Sequence, residues 1–364
     1  MRIQALFAAL SIAVVGPVAA APLVVHEWGT ITTVHDAAGA PAGRLNRITA
    51  SEVLPEFVHK FEPAGTRQEP KRLIKSELVP GRPDVTMRLE TPVIYFYPPA
   101  GVNLEPFDVS VNFRGGVLNE FYPDGAANVV LDMQRIATKR QAHALGVWNG
   151  NVLNNYVLGS LEWRGLTLTD DPRPPATTSA NWLAPRAVHA TGVMTPAGES
   201  ERYLFYRGVA HLDALLHTRL DSKELRLSAP ARLLWLAGGS TTIPQVWVAD
   251  IRADGQVAFR EHGAVTLRAA GTELAHIKRF AAGEHSAAQA VALRASIKRA
   301  LLAAGLFDDE AEAMLNTWKA SYFQKVGLRV FYIVPREWLD YFLPLRISVP
   351  HELKRALVGR IDLS

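Results

Sequence analysis

Phe107, Val109, Val111 and Phe113 alternate with Asp108, Ser110 and Asn112, the two-residue period of a strand with one buried face. Further β-branched and aromatic runs predict strands over 23–34, 91–97, 117–122, 157–168, 202–209, 225–235, 245–251, 256–267 and 328–334. Gly115 and Gly116 stand between two of these runs, the spacing of a two-residue hairpin loop. The period changes near 290. Leu293, Ile297 and Leu301 recur every four residues, Gly305 can end that helix, and Asp308 can cap a second one with Glu310 and Glu312 in its first turn, where negative charge meets the helix dipole. Ala311, Met314, Leu315, Trp318 and Tyr322 form the apolar stripe of this second helix. The pattern therefore predicts a mainly β fold with some α. Its core is an antiparallel β-sandwich type in one or two domains, with a helical hairpin at about 286–326 followed by a strand, and short runs at 347–349 and 357–363.

Composition and punctuation divide the chain. Arg2, an apolar run over 6–15, then Gly16, Pro17 and small residues up to Ala20 read as a signal peptide spanning 1–20. The run is too short for a bilayer helix, which needs about 20 residues. Four prolines fall within 171–186, which reads as a loop or linker between a β-rich region at 21–170 and a second at 187–364 that carries the helical hairpin. With no cysteine, disulfides, a lipidated N-terminus, thiol catalysis and Cys-based zinc, haem or iron–sulfur sites are excluded. The expectation is a soluble exported protein, periplasmic or secreted through a Sec-type signal. The formal net charge of +4 is small. The basic clusters at 71–75, 278–279 and 354–355 are separated by acidic residues and read as solvated faces, so no nucleic-acid partner is expected.

The chain lacks a Gly-x-Ser-x-Gly elbow, a Walker loop, a dinucleotide fingerprint, a His-Glu-x-x-His pair and a Ser-x-x-Lys pair, and there is no nucleotide or haem signature. Candidate chemistry is instead dispersed. On a strand, Val24, His26, Trp28 and Thr30 share one face while Val25, Glu27 and Ile31 share the other. His26 is a structural histidine or a ligand for a divalent metal; Glu27 is a structural carboxylate or an acid–base group; Trp28 is core or a sugar platform. If Gly115 and Gly116 form the hairpin loop, Phe113 faces Leu118 and Val111 faces Glu120, which places the Glu120 carboxylate on the apolar face beside Tyr122. There it is a salt-bridged strand-end residue or a site carboxylate, and a slip of one residue moves it to the other face. Arg207 and Arg329 lie among apolar strand neighbours, and Arg88 and Glu90 stand at the entrance to the strand over 91–97. The arginines suit internal ion pairs with Glu27, Glu90 and Glu120 or anion binding equally, because a guanidinium fork matches a carboxylate or phosphate.

His26–Thr30 directly after a secretion signal, together with Leu89–Tyr97, Phe205–Gly208, Gly327–Pro335 and Leu343–Leu345, resembles an uncharacterised family of secreted bacterial proteins with an N-terminal HEWGT signature. The similarity spans the whole mature chain. It implies export and a shared architecture, and it carries over no catalytic residues.

Two functional classes follow. The first is a non-catalytic binding or accessory protein of the periplasm that recognises a glycan, a polymer or a periplasmic protein. The alternative is a hydrolase using Glu27 or Glu120 as a buried acid or base, with His26 holding a divalent metal. The second class requires these side chains to converge on one concave pocket.

Overall fold

In the computed structural model, β1 (Leu23–His35) lies parallel to β18 (His351–Leu363) over their whole length, with Leu23 opposite His351 and His35 opposite Leu363. The structure describes residues 22–41, 45, 53–61, 85–133, 153, 156–230, 239–268 and 271–363. The signal-peptide reading of 1–20, the basic cluster at 71–75 and the end of the strand expected over 225–235 lie outside them. Around the β1/β18 pair, antiparallel neighbours complete a nine-stranded sheet. On one side of β18 lie β16 (Gly327–Ile333), β13 (Thr241–Ile251) and β14 (Val257–Leu267). Beyond β1 lie β3 (Met87–Tyr97), β10 (Leu204–Ala210), β5 (Gly116–Tyr122) and the short β2 (His59–Lys60).

A six-stranded sheet runs β17 (Leu345–Ile347), β4 (Phe107–Arg114), β7 (Val157–Thr169), β8 (Gly192–Met194), β9 (Ser200–Glu201), with β6 (Ala126–Leu131) also pairing β7. A three-stranded sheet runs β11 (His217–Leu220), β12 (Glu224–Ser228), β15 (Glu273–Lys278). The helices are α1 (Ala180–Arg186), α2 (Ala287–Ala303), α3 (Asp308–Thr317), α4 (Lys319–Phe323) and α5 (Arg336–Phe342). The mainly β architecture and the helical hairpin before a strand match the reading of the sequence. The apolar stripe of the second helix is buried as expected, but the helix breaks at Trp318 into α3 and α4.

The large sheet is covered on both faces. On one, Val25, Ile31, Leu89 and Phe96 pack with Val109, Phe113, Leu161 and Trp163 of the six-stranded sheet; this is the sandwich core. On the other, Trp28, Val93, Phe205, Trp247 and Phe331 pack with Leu293, Ile297, Met314, Leu315 and Trp318 of the helices. A strand covered on both sides cannot show a clean polar alternation. Thus both sets of β1 side chains are buried, polar ones included, and each buried polar group needs a partner.

Strands on either side of residues 171–186 interleave in the nine-stranded sheet, and part of that segment is itself α1, which buries Trp182 beneath Tyr203 and Phe205.

The expected hairpin at Gly115–Gly116 is corrected. β4 pairs β7 and β17, whereas β5 pairs β10 and β2, so the glycine pair carries the chain from one sheet to the other. Gly115, at φ +79°, donates its N–H to Val157 and accepts from His211, bridging the two layers. A Cβ on Gly116 would lie 2.4 Å from the Phe113 ring, which is why the crossing needs glycine. Glu120 is corrected with it. Asn119 is an extra residue in β5, because Arg207 pairs with Glu120 but Gly208 pairs with Leu118. The bulge leaves Leu118 in the sandwich core and turns Glu120 to the helix-covered face with Tyr122.

Candidate functional site

His26 points to the helices. Its Nδ1 lies 2.7 Å from Oε2 of Glu310, which also accepts the Phe307 backbone N–H at 2.7 Å, while Oε1 accepts the Tyr97 hydroxyl at 2.9 Å. Glu310 occupies the first turn of α3, where a carboxylate satisfies free N–H groups and meets the positive end of the dipole. The His26 ring rests on Phe307 at 4.6 Å between centroids. Burial, then the Glu310 charge and hydrogen bond, push the Tyr97 hydroxyl far above its ordinary range. The arrangement fastens β1 to the start of α3.

Glu27 points the opposite way, into the sandwich. Nε of Arg355 donates to it at 2.5 Å, and the Tyr206 hydroxyl donates to its other oxygen. Burial alone would lower the Arg355 guanidinium, but the charge and hydrogen bond of Glu27 together with Tyr206 and Asp340 outweigh it, and the net direction is up. Nη1 of Arg355 lies 3.7 Å from Asp340, and neither Nη1 nor Nη2 has a hydrogen-bond partner among the described residues. The 354–355 cluster is therefore no solvated face: Lys354 is half-exposed, but the Arg355 side chain is fully buried, because neighbouring strand residues face opposite ways.

A third polar group lies on the helix-covered face, four residues further along β1 from His26, which is about 13 Å at strand rise. Here Thr30 pairs with Glu90, and Arg207 pairs with Glu120. Glu120 meets Nη1 of Arg207 at 3.3 Å; Glu90 lies 3.5 Å from both Arg88 and Arg360 and accepts the Thr32 hydroxyl at 2.8 Å. Burial would raise the Glu90 carboxyl, but Arg360 and Arg88 hold it below its ordinary value. Asp362 is likewise held low by Arg360, Arg329 and Lys325 against its burial. Burial pulls Arg329 down to about 10, opposed by Asp362. Its two terminal nitrogens donate to the carbonyls of Ser321 and Lys325, closing the end of α4. Arg329 thus has a structural task.

Of the residues singled out in the sequence, Trp28 is fully buried in the core beneath the helices, and Tyr122 is buried with its ring stacked on His59 at 6.0 Å. Arg88, Glu90, Arg207 and Glu120 come together in the third group, whereas His26, Glu27 and Glu120 do not converge. Residues the sequence reading left aside complete the contacts: Glu310, Arg355, Tyr206 and Arg360. The only advance signal for Glu310 was its place in a helix first turn, and Arg355 was masked by its lysine neighbour. Half-exposed His59 meets Glu199 at 2.9 Å beside Asp124, another pair not anticipated.

Among the described residues, no three His, Cys, Asp or Glu side chains are grouped to hold a metal. No described helix is long and apolar enough to cross a membrane. A concavity of about 290 Å³ opens at the end of β7, between Thr167–Asp170 and the loop from Pro98 to Leu104, and none of the groups above lines it.

No protein-family model matches the chain, and no curated protein matches it.

Proposed function

We propose that the chain is an exported, non-catalytic binding or accessory protein. The supporting observation is that its conspicuous ionisable residues are already engaged in holding the fold. Glu27 bonds Arg355 and Tyr206, Glu120 meets Arg207, Glu90 meets Arg88 and Arg360, and His26 bonds Glu310. A general acid or base must reach the substrate proton directly or through one water. Here the two carboxylates of the hydrolase alternative are buried on opposite faces of one sheet, so they do not flank a common substrate. Export rests on the character of residues 1–20 and on the resemblance carried by His26–Thr30.

The test is turnover. Purified full-length chain, Glu27→Gln and Glu120→Gln are offered fluorogenic glycosides, esters, phosphoesters and peptides, with and without zinc or manganese ions. The expected result is no turnover above buffer. Hydrolysis by the wild type that disappears in a folded Glu27→Gln or Glu120→Gln overturns the reading. N-terminal sequencing of protein recovered from the periplasm checks export, with cleavage after Ala20 expected and an intact Met1 contradicting it.

A further inference from the structure

We propose that the concavity at the end of β7 binds a neutral, hydroxyl-rich ligand, a single sugar ring that is free or terminates a glycan. This rests on the binding-protein reading and supplies the site and ligand class. β4 pairs with β7 only as far as Phe107 opposite Leu166, yet β7 continues to Thr169 with β8 on its other edge. Past Leu166, one edge of β7 therefore has no strand neighbour among the described residues. The loop after β3 folds back opposite that edge and leaves about 290 Å³ between them, at the small end of the range for ligand sites, roughly 300–1,000 Å³. That size suits one ring rather than an extended chain.

The lining sets the chemistry. Among the lining residues Thr167, Thr169 and Thr191 carry hydroxyls, that of Thr169 also accepting the Asp171 N–H at 3.2 Å, while Asn103 carries an amide and Asp170 a carboxylate. Hydroxyls and amides both donate and accept, and the carboxylate accepts, which complements the adjacent hydroxyls of a sugar. Among the described residues no Lys, Arg or His lines the space, so a phosphate or carboxylate ligand meets none of their cations there and is opposed by Asp170. Pro98, Val102, Leu104 and Leu168 add an apolar portion that fits the C–H face of a ring. The walls are tied down: Thr191 N–H donates to Phe96 at 3.0 Å and Val102 N–H to Pro99 at 3.2 Å. A preformed wall loses little freedom on binding.

The experiment is saturation-transfer NMR and calorimetry on the full chain with neutral hexoses, pentoses and short oligosaccharides, alongside inorganic phosphate, calcium chloride and spermidine. At least one neutral sugar is expected to bind in the millimolar range, as suits a ligand of this size. Affinity should fall about tenfold or more in Asp170→Asn, which preserves shape, and in Val102→Trp, which fills the space, with circular dichroism and melting temperature unchanged. Binding of free sugars and binding of glycan ends only both support the site and identify the source. Absence of sugar binding, binding undiminished in both variants, or binding of phosphate, calcium or spermidine alone overturns it. Turnover is a separate measurement, so loss of this site leaves the non-catalytic reading standing, and hydrolysis that disappears in a folded Glu27→Gln or Glu120→Gln would overturn that reading by itself.

Discussion

Glu27 and Arg355 occupy opposing register positions on the parallel strands β1 and β18, and their side chains meet at 2.5 Å inside the sandwich. The contact joins residues 328 positions apart in sequence at the centre of the largest sheet. A lone buried carboxylate costs several kcal/mol, so the pair is a condition for placing Glu27 in this position at all. His26, one residue earlier, makes the equivalent tie on the other face to Glu310.

The His26 tie predicts a local loss of order. Glu310→Gln should lower the free energy of unfolding by about 2 kcal/mol, since it weakens bonds to His26, Tyr97 and the Phe307 N–H. His26→Ala should cost a similar amount. Hydrogen exchange should speed up first in the opening turn of α3. Unchanged protection there contradicts the role assigned to His26.

Gly29 predicts a steric effect. A Cβ there would lie 2.9 Å from Cα of Pro92, where β3 carries an extra residue relative to β1. Gly29→Ala should cost about 1–3 kcal/mol in a urea titration. At the same bulge Thr91 has φ +46°, a conformation that a β-branched residue adopts only under strain. Thr91→Gly should be neutral or stabilising by up to about 1 kcal/mol, and a loss larger than that contradicts the strain.

His35 predicts a pH dependence. Burial, then nearby His217, lowers it to about 4 from 6.5, and its Nδ1 is 2.8 Å from the Thr218 hydroxyl. The unfolded chain binds the proton more readily, so the stability from neutral His35 is complete above about pH 6.5 and is lost as pH falls toward 4. Between about pH 7.5 and 5 the loss should be about 2 kcal/mol. Denaturation across that range checks it against His35→Gln, which should show a flatter profile; identical slopes contradict the assignment.

The strands were legible because alternation and β-branched runs report local geometry, and the helical hairpin because Leu293, Ile297 and Leu301 keep their period. The opposite directions of His26 and Glu27 followed from strand parity alone. Partners did not follow. Nothing near Glu27 in sequence points to Arg355, and a parallel pairing of β1 with β18 leaves no turn motif between them to read. Bulges were equally silent: Asn119 looks like any strand residue, yet it reverses the face of Glu120. Gly115 and Gly116 gave a correct signal for a sharp change of direction and a wrong one for hairpin pairing, because a corner between two sheets needs the same conformational freedom.

Whether the prominent carboxylates belong to the fold is decided by a double-mutant cycle on Glu27 and Arg355 read by urea unfolding. Glu27→Leu and Arg355→Met should each cost about 3–5 kcal/mol, because each strands a buried charge. The double variant should lose less than the two losses added, with a coupling of at least about 2 kcal/mol. Additive losses, or a Glu27→Leu protein as stable as the wild type, would contradict the account.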